Sequence, residues 1–443
     1  MFSNNQLKKL ILPLMIEQLL VVMVGMVDTV MISPYGEASV SGISLVDSIN
    51  SLLTGLFSAL ATGGAVVAAQ YIGQRAPEKA CRASNQLILA VLAVSGVLTA
   101  LSLAGNEWLL RLIYRRIETD VMAGAKTYFY LSALSYPFLA VYSAGGALFR
   151  AMGDSKISLK TSVAMNAINI AGNALLLYCL HLGVLGAALA TLVSRIAAAV
   201  IVTGLLLNPQ RQLHLNPGLR LGFAPEMIKR ILRIGIPNGL ENSIFQVGKL
   251  IVAGLVSGFG TAAITANAVA NTVCSFEVIP GNAIGLAMIT IVGQCVGAHD
   301  AGGVRKYTGK LMKYAYLAVF AVSVLVAALV GPICSAFRLQ PETEELARKI
   351  ILYHSLCCLL IWPASFTLPN ALRAANDVKF TMLTSIFTMW SCRIGLSYVL
   401  ALHCGFGVLG VWMAMTMDWA VRAAFFITRF VRGSWKKHAG FPD

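Results

Sequence analysis

Charge is what this sequence has least of. Asp, Glu, Lys and Arg make up 12% of its 443 residues, against roughly 25% in an ordinary soluble domain. That is too little to cover a globule of this size with polar surface. Acids are the scarcer sign, 19 against 34 Lys and Arg, for a net charge of +15. In a soluble chain such a balance would point to nucleic acid. Here the bases sit between apolar blocks, so membrane topology accounts for them and no nucleic-acid partner is expected. The nine cysteines show no metal-ligand spacing and lie mostly in or beside apolar blocks, where they read as helix filler. No nucleophile–base set emerges. Catalytic residues, a resident metal and a cofactor are therefore not expected, nor is an enzyme.

What the chain has in abundance is long apolar blocks. Windows of about 20 nearly uncharged residues, enough to cross a roughly 30 Å hydrocarbon core as helix, recur from end to end. They are too continuous for the alternating pattern of a membrane β-barrel. The first block contains Glu17 and Asp28 and has no small-residue cleavage site, so it reads as a span and not as a signal peptide. The expected fold is an all-α polytopic membrane protein. Its twelve spans lie at roughly 9–33, 43–73, 84–105, 121–149, 157–181, 185–208, 226–257, 263–297, 310–332, 346–373, 379–403 and 407–430. Of the Lys and Arg in the connections, 23 fall on one side and 6 on the other, Arg111, Arg115, Arg116, Arg338, Arg348 and Lys349. Both termini are expected in the cytoplasm of a multi-pass inner or plasma membrane protein.

The two halves resemble each other. Pro13 meets Pro237 at an offset of 224, and at that offset Glu17 meets Glu241, Gly36 meets Gly260, Gln70 meets Gln294 and Gly73 meets Gly297. "LFRAMGDSK" aligns with "ALRAANDVK", and "GVLG" at 183–186 with "GVLG" at 407–410. The division predicted is a first six-helix lobe over 1–208, a basic cytoplasmic linker over 209–225 and a second six-helix lobe over 226–443. Six spans is an even number, so the lobes share one orientation. This is the parallel-repeat plan of many secondary transporters, with the substrate path between the halves.

Ionisable residues inside spans are expensive and mark function by default. Asp28 lies in "VVMVGMVDTVMIS", an otherwise apolar stretch, and its repeat position holds Val252. It therefore belongs to one lobe's own chemistry, as a protonatable or cation-binding carboxylate. Asn166, Asn169 and Asn173 in "NAINIAGN" are spaced 3 and 4 along span 5, share one helix face, and are candidate partners for Asp28. Glu277, close to Pro280, has no acidic counterpart at Leu53; with Glu241 and Gln246 it is the candidate for a substrate or cation site in the second lobe. Asp47, which aligns with Asn271, reads as a helix–helix hydrogen bond, and Arg393, Asp418 and Arg422 as a buried ion-pair network. Aromatic candidates for a cavity wall are Tyr136, Tyr142, Phe149, Phe245, Trp362 and Trp390. The glycines of "ALATGGAVVAAQ" suit close helix packing.

Taken together, "MVDTVMIS" in span 1, "VAAQYIGQRAPEKA" with "IVGQCVGAHD", and "FRAMGDSK" with "LRAANDVK" resemble the multidrug and toxic compound extrusion (MATE) transporters across essentially the whole chain. The resemblance implies an exporter of small cationic amphipathic organic compounds, working as a monomer in membrane lipid. Inward flow of a coupling ion, H+ or Na+, would drive it. The family's span-1 acid falls on Asp28 and its span-5 "N-x-x-x-D" pair on Asn169 and Asn173. An asparagine thus stands where the family has an aspartate, leaving the first lobe one acid fewer. Glu277 matches an acid found in span 8 of some members. The alternative is a lipid-linked saccharide flippase of the same two-lobed plan, which should line its cavity with bases. The intramembrane set of six acids and four bases favours the cation exporter.

Overall fold

The structure, a computed structural model, describes residues 2–114, 118–215 and 224–441. Arg115, Arg116, Arg220 and the rest of residues 216–223 of the linker lie outside them. Lipid offers no partner to a backbone N–H or C=O, so apolar blocks of this length close their hydrogen bonds internally as helices. Among the described residues the regular structure is helical throughout. The first half comprises α1 (Asn4–Ile32), α2 (Glu37–Gly73), α3 (Pro77–Ala104), the short α4 (Asn106–Ile113), α5 (Thr119–Ala151), α6 (Ser155–Asn173) and α7 (Gly183–Leu206). The second comprises α8 (Pro225–Ser257), α9 (Thr261–Glu277), α10 (Ile279–Gly297), α11 (Ala301–Ala328), α12 (Val330–Ala336), α13 (Pro341–Trp362), α14 (Pro369–Ala374), α15 (Val378–Thr388), α16 (Leu396–Tyr398), α17 (Gly407–Val431) and α18 (Trp435–Ala439). Wider π turns occupy Ala174–Cys179, Pro363–Thr367, Met389–Gly395 and Val399–His403.

Among the described residues ten rods are long and apolar enough to cross a membrane. The more charged α8 and α17, of 33 and 25 residues, also exceed the crossing length of about 20. Together these make the twelve spans. The span at 263–297 is two helices, α9 and α10, meeting at Val278 because Pro280 supplies no N–H to the first turn of α10.

The backbone repeats as the sequence does. Arg75 and His299, 224 residues apart, both adopt the left-handed region, with φ of 57° and 53°. Gly36 and Gly260 both have φ of 90°. The repeated "GVLG" has a shared physical cause. Gly183 and Gly407 each start a helix at φ of 54°. Three residues on, a Cβ at Gly186 would stand 3.1 Å from the backbone of Leu176, and one at Gly410 would stand 2.8 Å from that of Leu400. Each helix start is thus pressed against the π turn before it, and a side chain would force the backbone to shift at Gly410 and to give slightly at Gly186.

The chain divides into two compact units, Asn5–Gly239 and Leu240–Asp443 with Met1–Asn4. The division falls inside α8, downstream of the 209–225 linker. The reason is the packing of the first turns of α8 on α2. A Cβ at Gly63 would come within 2.7 Å of the Ile231 carbonyl oxygen and 2.9 Å of the Gly235 nitrogen. Nearby, Arg230 donates to Gln70 Oε1 at 2.6 Å. Gly63→Ala should therefore force two backbones apart and cost about 1–3 kcal/mol. This would be read as a lower thermal midpoint of the purified protein in detergent. An unchanged midpoint would mean that α2 and α8 yield without cost.

Candidate functional site

In the unit Asn5–Gly239, α1, α2, α5, α6 and α7 enclose a cavity of about 220 Å³. Asp28 enters it from α1, four residues before that helix ends, and Asp47 enters from α2. Asn166, Asn169 and Asn173 line it from one face of α6, and Thr191 and Arg195 from α7. Asn173 Nδ2 donates to Asp28 Oδ1 at 2.9 Å and to Asn169 Oδ1 at 3.4 Å. Asn169 in turn donates to Thr191 at 3.4 Å. The carbonyl oxygen of Asn173 is buried beside Asp28 without a donor. Asp47 accepts from Asn50 at 3.3 Å, which Tyr136 holds through its hydroxyl at 3.0 Å. Arg195 donates to Ser135 at 2.6 Å and has no acid within ion-pair distance among the described residues. Two carboxylates and one guanidinium give the cavity a formal charge of −1. The Asn173 side-chain oxygen is a buried acceptor without a donor, and with the net negative charge this suits an incoming cation.

Asp47 thus shares the cavity with Asp28 and stands apart from Arg393, Asp418 and Arg422, which belong to the other unit. Of the six aromatic candidates none lines the cavity. Tyr136 and Phe149 are fully buried, and the aromatic that does face it is Tyr128. Small polar residues such as Thr191 leave no mark in an apolar block, which is why sequence reasoning missed them.

The other unit does not bring Glu277, Glu241 and Gln246 together, and this corrects the expectation of one shared site. Glu241 is paired with Arg373 at 2.8 Å and accepts from Ser385 at 2.7 Å. Its repeat counterpart Glu17 faces Arg150 at 3.7 Å and accepts from Ser158 at 3.0 Å. Both are Glu–Arg pairs at the same place in each half, and both follow a proline inside a helix by four residues. Gln246, half-buried on α8, belongs to neither set of contacts.

Glu277 is completely buried where α9, α11 and α13 meet. It accepts from Ser323 at 2.9 Å and Ser355 at 2.8 Å, with His354 Nδ1 at 3.3 Å. Cys274 adds a sulfur, and the Cys274, Glu277 and His354 ligand atoms all lie within 4.8 Å of one another. The donor types would suit zinc, but both Glu277 oxygens already have donors. The group is a hydrogen-bonded buried acid. His354 was missed; its signal was a lone histidine inside the apolar run "LYHSLCCLL".

The matches with known proteins follow the same repeat. The MatE family profile matches twice, at residues 13–175 and 237–399. The chain belongs to the MatE family. The two MatE matches are themselves displaced by 224 residues, from 13 to 237. The chain is 26% identical over 430 residues to "Uncharacterized transporter YisQ" of Bacillus subtilis, covering 96% of this chain and 93% of that one. It is 26% identical over 452 residues to "Probable multidrug resistance protein NorM" of Thermotoga maritima, covering 98% and 94%. Its fold matches a solved structure of an outward-facing multidrug resistance MATE family transporter with a TM-score of 0.90 at 19% identity, covering 98% and 96%. This MatE chain is a multi-pass membrane transporter.

Proposed function

We propose that the protein is a secondary active antiporter exporting cationic amphipathic organic compounds in exchange for protons or sodium, by alternating access. The observation that carries this is the acid pair Asp28 and Asp47 in one cavity with the amides of Asn166, Asn169 and Asn173. A carboxylate at Asp28 holds either a coupling cation or an organic cation, and occupancy by one excludes the other. Each ligand shifts the two access states only by its differential affinity for them. Mutual exclusion at one acid therefore makes the two flows run in opposite directions. One elementary charge moving inward supplies about 2.3 kcal/mol per 100 mV. The names of the multidrug resistance relatives support the substrate class. On this reading the protein works as a monomer in the plasma membrane with both termini cytoplasmic.

The coupling ion we favour is the proton. Sodium is held by several oxygens at once, and here an amide, Asn173, stands where the resemblance leads one to expect a second carboxylate. The test is efflux of a fluorescent organic cation such as ethidium from proteoliposomes, with pH and sodium gradients imposed separately. The expected result is efflux under the pH gradient and background flux under sodium alone. Efflux under neither gradient would overturn the antiport reading, and efflux under sodium alone would overturn the proton assignment.

A further inference from the structure

The duplicated halves agree in backbone and disagree in every charge of their polar clusters. In the first unit the charges of the cavity are Asp28, Asp47 and Arg195. Their repeat positions hold Val252, Asn271 and Trp419. In the second unit the clustered charges are Lys249, Arg393, Asp418 and Arg422, and their repeat positions hold Gly25, Asn169, Ser194 and Ala198. No charge is shared, and the signs are opposed, a formal −1 in the first cluster against +2 in the second. Arg393 occupies the repeat position of Asn169, a lining residue of the acid cavity.

The second cluster is short of negative charge. Asp418 is completely buried and is the one acid shared by two guanidiniums, Arg422 at 3.3 Å and Arg393 at 3.9 Å. Both distances exceed those of a tight charge-assisted pair, about 2.7–2.9 Å. The Nε of Arg393 and of Arg422, residues only 9% and 2% exposed, are buried with no acceptor. Lys249 has no acid within ion-pair distance among the described residues; its ammonium lies 5.2 Å from the centre of the Phe245 ring. The Arg393 and Arg422 guanidiniums stand over that same ring at 5.1 and 5.7 Å, and Arg422 stands 5.0 Å from Phe366. The neighbouring acid Glu241 is already committed to Arg373. Three cations thus converge on one aromatic ring with a single carboxylate between them. Lys249 is exposed, but removing the two guanidiniums from water without enough partners is costly, and a guanidinium fork matches a carboxylate in two parallel hydrogen bonds. Phe366, stacked on Trp362 at 5.0 Å and set edge-on to Trp419 at 5.9 Å, extends the aromatic surface beside them.

We infer that Lys249, Arg393 and Arg422 form an oxyanion-binding site in the second unit, whose ligand is an amphipathic aromatic carboxylate. The carboxylate supplies the acceptors that the guanidiniums lack, and its ring packs on Phe245 and Phe366. The inference deepens the export reading, on which it rests for the ligand's being cargo, and adds molecules bearing an acidic group to the substrate class. Binding is measured without any ion gradient, so its failure and a failure of gradient-driven efflux are separate results.

The test uses the full-length protein in nanodiscs of zwitterionic lipid, titrated with 1-pyrenebutyrate and with its uncharged methyl ester. Energy transfer from tryptophan to pyrene reports binding. The acid should bind at least tenfold more tightly than the ester. Lys249→Glu should remove most of that preference; since Lys249 has no ion-pair partner among the described residues, the variant breaks no existing pair. Arg393→Gln should do the same, with Arg393→Lys recovering part of it. Equal binding of acid and ester by the wild type would overturn the site, as would a preference that survives Lys249→Glu. Addition of phosphatidylglycerol to the nanodiscs should leave acid binding in place. Competitive loss of it would give the site to a lipid phosphate and overturn the carboxylate assignment.

Discussion

Asp28→Asn abolishes gradient-driven efflux and leaves a folded protein. Asparagine has the shape of aspartate, and its carbonyl can still accept from Asn173 Nδ2, which now stands 2.9 Å from Asp28 Oδ1. The apolar packing of α1 is untouched, so the thermal midpoint should stay within the range of a surface substitution. What is lost is the charge that attracts an organic cation and the site that can take up a proton in its place. A hydrogen bond to a charged group is worth about 1.5–3 kcal/mol. Affinity for an organic cation should therefore fall by about 10- to 100-fold, and ion exchange should fall to background. Two measurements check this, equilibrium binding of a fluorescent cation and substrate-induced proton flux in proteoliposomes. Wild-type flux in the variant would remove Asp28 from the mechanism. Wild-type binding with lost flux would show that the acid couples transport without touching cargo.

Asp418→Asn has the largest expected effect on stability. The residue is completely buried, and Arg422 and Arg393 share it as their acid at 3.3 and 3.9 Å. Taking away one member of a buried ion pair leaves uncompensated charge in a medium that solvates it poorly, at a cost of about 3–5 kcal/mol. Here two guanidiniums are orphaned together, so the upper end applies. A chemical denaturation series in detergent should show that loss. The double variant Asp418→Asn with Arg422→Gln should recover part of it, because the second change removes one of the stranded charges. A loss below about 1 kcal/mol would mean that water reaches the cluster and screens it.

Much of the frame could be read from residues alone, because lipid enforces helices and duplication leaves a fixed offset. The apolar blocks placed the spans, and the 224-residue offset tied Gly36 to Gly260 before their shared φ of 90° was known. Asn166, Asn169 and Asn173 could be grouped because helical periodicity is local. The rest depended on contacts between helices far apart in sequence. His354 meets Glu277 across 77 residues and Arg429 meets Asp377 across 52, and no spacing rule links such positions. Asp47 was read as structural because its repeat partner is Asn271. The structure places it in the cavity with Asp28, a contact between helices that the repeat alignment alone does not carry. Placing the boundary in the linker instead of inside α8 had a similar cause: charge marks where a chain leaves the membrane, whereas packing decides to which body it adheres.

The π turn at Ala174–Cys179 has a counterpart 224 residues on, at Val399–His403. A π turn is an α-helix holding one surplus residue, and each residue of an α-helix turns the chain by about 100°. The surplus residue after Asn173 therefore lets two stretches of one span keep separate bearings. Before it, the asparagines look into the cavity; beyond it, the Tyr178 hydroxyl reaches the carbonyl of Met31 at 3.2 Å. Deleting one residue there would restore a regular ladder and swing one stretch through about 100° relative to the other. Either the amides would leave Asp28 or Tyr178 would leave the end of α1. The length of this segment is thus as constrained as its composition, and a shortened span could not satisfy both contacts however well its residues matched.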